Sequence, residues 1–255
     1  MNPRLLGVAI SLWLGACSSL VPRPDAGEVP SAEPLASWAR VLEHFVDDQG
    51  RVNFAALTEQ REDLDRYVAW VYDNGPATQP QQYPTPQHVL AYHLNAYNAL
   101  AMFNVIEAGI PETNAGFNKV GFFFLRKLRV AGQEMSLYDY ENELIRKLGD
   151  PRVHFALNCM SVSCPRLPRE PFAAQTLEAQ LDREARYFFS EPRNFSVDEA
   201  AHTVFLSEIM DFYPDDFLAQ APSLLAYANR YRAAPAPDSY QVRFRPYDWA
   251  INRQP

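Results

Sequence analysis

Apolar positions recur along the chain with two periods, and the change of period marks out the elements. Leu35, Trp38, Leu42 and Phe45 return at helical spacing, as do Leu57, Leu64, Tyr67, Val68 and Val71 across residues 57–72. Residues 91–106 are apolar nearly all round, which predicts a buried central helix. Thr85 is suited to cap it and Pro86 to open it, while Gly109 and Pro111 stop it. Residues 51–54, 122–124 and 128–130 read as strands, with Ala131-Gly132 turning the last of these into 133–135. Ser136 followed by Asp139 predicts a capped helix over 137–148. In 152–157, Val153, Phe155 and Leu157 alternate with His154 and Ala156, the pattern of a strand, before a loop that ends at Pro165. Beyond it come a helix from Thr176 to 189, a hairpin from 195–197 and 203–206, a helical turn at 207–213, a helix at 223–231 and a strand at 240–244. Helices and hairpins mix without a βαβ rhythm. The pattern predicts an α+β fold, its central buried helix packed on a small, largely antiparallel sheet with helices around it.

The first residues follow a different logic. Arg4 precedes a ten-residue apolar run, 5–14, which is too short to span a bilayer as a helix. Leu14-Gly15-Ala16-Cys17 follows at once and resembles the lipobox of bacterial lipoproteins, which implies a signal peptide over 1–16 and an acylated Cys17. Ser18, rather than Asp, implies by the same resemblance a lipid-anchored protein at the outer membrane with its domain in the periplasm. Residues 17–34, with Pro22, Pro24, Pro30 and Pro34, read as an extended tether to one globular domain over 35–255.

Composition narrows the functions. Loss of residues 1–16 removes one Arg and no acid, leaving 22 basic against 31 acidic residues, a net −9. A chain so acidic, with no basic stripe, is a poor partner for nucleic acid. Apart from Cys17 its thiols are Cys159 and Cys164. Four residues separate them, in a loop of small side chains, and export favours oxidation, so a Cys159–Cys164 disulfide is expected.

Candidate chemistry gathers in the same loop. His154, Asn158, Cys159, Ser161, Ser163 and Cys164 lie within eleven positions. Asn95 and Asn98 sit one turn apart on the central helix and must be hydrogen-bonded if buried. One reading is a binding module in which Asn95, Asn98, Glu141, His154, Asn158 and Trp249 line a cleft for a small polar ligand or a peptidoglycan fragment. The other is a thiol enzyme, with Cys159 as nucleophile, His154 as base and Asp248 as its orienting acid. His154 and Cys159 are five residues apart and fall on opposite faces of an unbroken strand, so the pair needs a bend near Asn158. No metal pattern is complete, since His154, Cys159 and Cys164 lack a fourth ligand, and no cofactor motif is present.

Taken in order, His93-Leu-Asn-Ala-Tyr-Asn-Ala-Leu100, Leu137-Tyr-Asp-Tyr-Glu141, Arg152-Val-His-Phe-Ala-Leu-Asn-Cys159, Ser163-Cys-Pro-Arg-Leu167, Leu206-Ser-Glu-Ile209 and Tyr247-Asp-Trp-Ala-Ile-Asn252 resemble the domain of unknown function 547 family. The resemblance spans about residues 51–252. It departs at Glu141-Asn142, where the family more often has Glu-His. A second resemblance, to papain- and transglutaminase-like enzymes, concerns the order of a central helix, a later His and a later Asp. It implies a related core and a Cys/His-dependent hydrolase or acyl transferase.

Overall fold

A computed structural model describes residues 18–26 and 34–255; the segment expected as a signal peptide and Cys17 lie outside the described residues. The α+β class holds, but the sheet is divided. Two three-stranded sheets form, each with one antiparallel and one parallel pair, in the orders β1-β2-β3 and β4-β5-β6.

Strand β1, Ser19–Leu20, begins the first sheet. Helices α1, Pro34–Phe45, α2, Phe54–Glu59, and α3, Glu62–Asp73, follow. The single helix expected over 57–72 is thus two, because the chain breaks at Gln60-Arg61. Residues 51–54 make no strand: Val52 bridges Val46 on one side and Arg253 on the other, and α2 starts at Phe54. Gly50 closes the turn before it with φ +77°, where a Cβ would come within 2.4 Å of the Leu167 backbone nitrogen. Only glycine accepts both the left-handed backbone and that approach.

Helix α4, Pro86–Glu107, is the expected centre, and Thr85 caps it through the His88 amide. Seventeen of its 22 residues are buried, because α3 and the turn 140–145 pack against it. Helical turn α5, Phe117–Val120, runs into a wide π-helical turn, Gly121–Leu125, where a strand was expected. Strands β2, Arg126–Val130, and β3, Gln133–Ser136, form the predicted hairpin, with Ala131 and Gly132 both at positive φ. β1 lies parallel to β2, Ser19 opposite Arg126 and Leu20 opposite Lys127. Residues 19–21, at the start of the segment expected as a tether, are thus paired with the domain. The Val21 amide bonds Lys127 and its carbonyl accepts from Tyr72, so the chain is docked on the domain two residues after Cys17.

The capping box of Ser136 and Asp139 opens α6, Leu137–Asp139, which continues as a π turn, Tyr140–Ile145, and a 3-10 turn, Arg146–Leu148. The strand expected at 152–157 is absent. Pro151–Phe155 is a 3-10 turn capped by Asp150. Proline at its first position and an aspartate ahead of it outweigh an alternation only six residues long.

Helix α7, Leu177–Ser190, leads to the hairpin β4, Phe195–Asp198, and β5, Thr203–Ser207. Thr176 sits at the cap of α7 without making the side-chain bond expected of it. Short helices α8, Ile209–Phe212, α9, Pro214–Leu218, and α10, Leu224–Asn229, precede β6, Gln241–Arg245, which lies parallel to β5. Each sheet thus has a parallel pair made by a chain end returning to a hairpin, which a pattern of local hairpins does not reveal.

The last residues form a strap. Asp248 and Ala250 carbonyls accept from Ser163 and Val162, the Asn252 amide donates to Met160, and Ile251 donates to Glu112. The Asn252 side chain then reaches Gly50 and the Gln254 side chain reaches Phe45 and Arg51. Residues 158–163, the centre of the candidate chemistry, therefore lie between α4 and this strap.

Candidate active site

The local backbone positions the thiols. The Asn98 side chain, 1% exposed, donates to the Ala156 carbonyl (2.9 Å) and accepts from the Asn158 amide (2.8 Å). Asn158 in turn donates to Pro165 and accepts from the Met160 amide. Met160 is held at φ +63°, a conformation that costs about 1–3 kcal/mol for a side chain of this kind and persists only where surrounding bonds enforce it. This kink lies just after Cys159, and because 151–155 is a 3-10 turn the bend expected of a continuous strand near Asn158 does not arise.

Cys159 and Cys164 are free thiols. Their sulfurs stand 2.9 Å apart, beyond bonding distance, so the expected disulfide is not formed here. The Cys159 amide points at the Cys164 sulfur (3.1 Å). Tyr247 Oη lies 3.0 Å from Cys164 Sγ and 3.5 Å from Cys159 Sγ, and Ser161 Oγ is 3.5 Å from Cys159 Sγ. Their environments differ. Both line a cavity of about 360 Å³, Cys159 half-buried and Cys164 2% exposed. The hydrogen bond with Cys164, joined by those with Tyr247 and Ser161, outweighs burial and holds the Cys159 thiol below its ordinary range. Burial, then the bond to Cys159, pushes the Cys164 thiol well up.

The same cavity is lined by His154, whose Nε2 lies 2.7 Å from Asp216 Oδ2. Asp216 also takes a two-pronged bond from Arg146, at 2.8 Å on each oxygen. Burial raises the Asp216 pKa, but the bonds from His154 and Arg146 prevail and hold the carboxyl well below the usual carboxylate range. Tyr213 stacks on the imidazole at 4.0 Å and Phe217 meets it edge-on. Glu141 accepts from Tyr97 at 3.0 Å. At the mouth, Trp249 packs against Tyr247 and Phe212, and Lys119 Nζ sits 4.0 Å above the Trp249 ring.

Of the residues expected to line a cleft, the structure brings together Glu141, His154, Cys159 and Trp249. It places the others elsewhere. Asn98 and Asn158 are backbone clamps whose amides are spent on the loop. Asn95 binds the Phe172 backbone in both directions and lines a separate, smaller cavity. Asp248 is exposed and bonds the Ala250 amide; the acid paired with His154 is Asp216. Sequence reasoning missed Asp216, Arg146, Tyr213 and Tyr247. Asp216 lies 62 positions after His154 at the start of a short helix, where an acid is the ordinary choice, so nothing local distinguished it. Tyr247 stood inside the quoted Tyr-Asp-Trp motif, but attention fell on the neighbouring acid.

Among the described residues no group of three or more His, Cys, Asp or Glu could hold a metal ion. The arrangement offers a nucleophilic sulfur, a second sulfur in reach of it and an acid–imidazole pair across one cavity. No curated protein and no solved structure matches the chain. Residues 80–189, which carry α4, His154 and both thiols, match the family described as Protein of unknown function, DUF547, and the resemblance read from the motifs is supported over that segment.

Proposed function

We propose that this is a lipid-anchored envelope protein whose cavity carries out thiol–disulfide exchange, with Cys159 as the nucleophile and Cys164 as the resolving thiol. One observation carries the reading: two free sulfurs 2.9 Å apart in unlike settings, hydrogen bonds drawing the Cys159 thiol's pKa down and burial pushing that of Cys164 well up. The Cys159 thiolate attacks one sulfur of a substrate disulfide. That S–S bond breaks, a mixed disulfide forms and the first substrate thiol leaves. Cys164 then gives up its proton and attacks Cys159 Sγ, releasing the second thiol. The substrate gains two electrons, and the protein is left with the Cys159–Cys164 disulfide as its oxidised form until a dithiol reduces it.

A small-molecule disulfide reporter with a dithiol reductant tests this. Wild type turns over, Cys159→Ser is inert, and Cys164→Ser is slowed to the rate at which the reductant itself cleaves the mixed disulfide, which intact mass shows when the reductant is withheld. Turnover by Cys164→Ser at the wild-type rate refutes it. The anchor is tested separately: Cys17→Ser leaves an uncleaved precursor or a soluble product, and normal processing and membrane recovery of that variant would overturn the lipid assignment.

The His154–Asp216 pair favours a second reading, acyl transfer of the papain or transglutaminase type. Cys159 would attack a carbonyl and the imidazole, oriented by Asp216, would handle the proton. The two readings part cleanly, because acyl transfer survives Cys164→Ser and is lost in Asp216→Asn. Both contain the simpler role, a cavity of about 360 Å³ that takes a small polar ligand.

A further inference from the structure

Large exposed apolar side chains are not spread evenly. Phe117, 97% exposed, and Val120 flank the cavity-lining Lys119 in sequence, and the exposed Phe124 and Tyr138 line the same cavity. Phe124 packs on Tyr138 at 4.7 Å between ring centres. Lys119 reaches over the rings of Phe212 and Trp249. Large apolar side chains left exposed around a cavity mark an interaction surface.

The path of the chain says what covers it. β1 runs parallel to β2, and Arg126, opposite Ser19, directly follows the wide turn that carries Phe124. The first described residues therefore lie beside the strand that begins one residue after Leu125, and Cys17 precedes Ser19 by two positions in the sequence. Val21 is bonded to Lys127 and Tyr72, so the chain is held on the domain within four positions of Cys17. A lipid on Cys17 favours approach of this side of the domain to the bilayer.

We infer that the rim of Phe117, Val120, Phe124 and Tyr138 docks on the membrane surface and that the Cys159 cavity draws its substrate from the bilayer interface, which makes that substrate amphipathic. The inference rests on the lipid at Cys17 for the direction of approach, but the rim has its own affinity, since interfacial binding scales with buried apolar area. Lys119 among the aromatic rings suits the phosphate level of the headgroups.

The test uses the mature chain carrying Cys17→Ser, and hence no lipid, mixed with phosphatidylcholine vesicles. The protein sediments with the vesicles. The double variant Phe117→Ser, Val120→Ser binds at least about tenfold more weakly, since both side chains lose their burial in the acyl boundary. Leu148→Ser, at an exposed leucine outside the cavity lining, binds as the parent does. A Phe117→Trp reporter shifts its emission to the blue on vesicle addition, which does not depend on the fold of the double variant. Failure of the parent to sediment together with an unshifted reporter, or equal binding by the double variant, overturns the inference. Because no lipid is attached in this assay, such a failure is distinct from failure of the anchor, which shows only in processing of the full chain.

Discussion

Removing the Asn98 side chain should loosen the site and the fold together. Asn98→Ala leaves two buried backbone groups, the Ala156 carbonyl and the Asn158 amide, without the partners they have at 2.9 and 2.8 Å. Each unsatisfied buried group costs about 1–3 kcal/mol, an upper sum of about 6. The vacated amide leaves room for about one water, which can restore part of the bonding, so the expected loss is about 2–4 kcal/mol. For a domain of this size that lowers the melting temperature by about 4–16 °C. Urea unfolding followed by circular dichroism gives the energy, and the rate of Cys159 alkylation by iodoacetamide, measured well below the transition, reports the loop. The rate should change, because Asn158 leads directly into Cys159. A loss under about 0.5 kcal/mol, the range of ordinary surface substitutions, with an unchanged alkylation rate would refute the clamp.

Three further outcomes follow from the geometry. Tyr247→Phe removes a hydroxyl that bonds both sulfurs, so the pH profile of Cys159 alkylation moves to higher pH; an unmoved profile contradicts that role. Burial lowers the His93 pKa to about 4, below its unfolded value near 6.5, so the unfolded chain takes up the proton first as pH falls. The contribution of neutral His93 is fully present above about pH 6.5 and is lost as pH falls through about 4, in total about 3 kcal/mol. His93→Gln should flatten the stability profile across that window, and identical slopes in urea titrations would count against it. Gly50→Ala should cost at least about 2 kcal/mol in the same assay, because its Cβ meets the Leu167 backbone at a positive φ; near-neutral stability would disprove the close approach.

What the sequence revealed was local. Thr85, Pro86 and Gly109 bound α4 because caps act within one turn, and Ala131-Gly132 turns the β2–β3 hairpin because the turn itself selects those residues. The cluster His154, Cys159 and Cys164 was legible as dense reactive side chains. What escaped depends on distant partners. The alternation in 152–157 predicts burial of Val153, Phe155 and Leu157 alone, yet the 3-10 turn over 151–155 and the two residues after it bury His154 and Ala156 as well. Asp248 and Asp216 were equal candidates by type, and only tertiary packing sets Asp216 against His154 while Asp248 faces water. Pro22 and Pro24 suggested a free tether, whereas an open edge of β2 beside them accepts Ser19 and Leu20 as a strand.

The strap at the C-terminus sets the order of events in the life of the chain. Asn252 closes on Gly50 across 202 positions and Gln254 on Phe45 across 209, and the same segment holds the Met160 and Val162 backbone beside Cys159. Loops of that length close late, after local structure has formed. Synthesis of the roughly 90 residues between Cys164 and Gln254 takes about 5–20 s, and through that interval the two thiols exist in a chain that has no strap to seat them. The thiol pair is therefore seated only by residues made roughly 90 positions after it. A chain that stops short, by early termination or by trimming of its tail, loses the wall of the site before it loses the thiols, so completeness of the polypeptide becomes a condition for controlled reactivity of the sulfur.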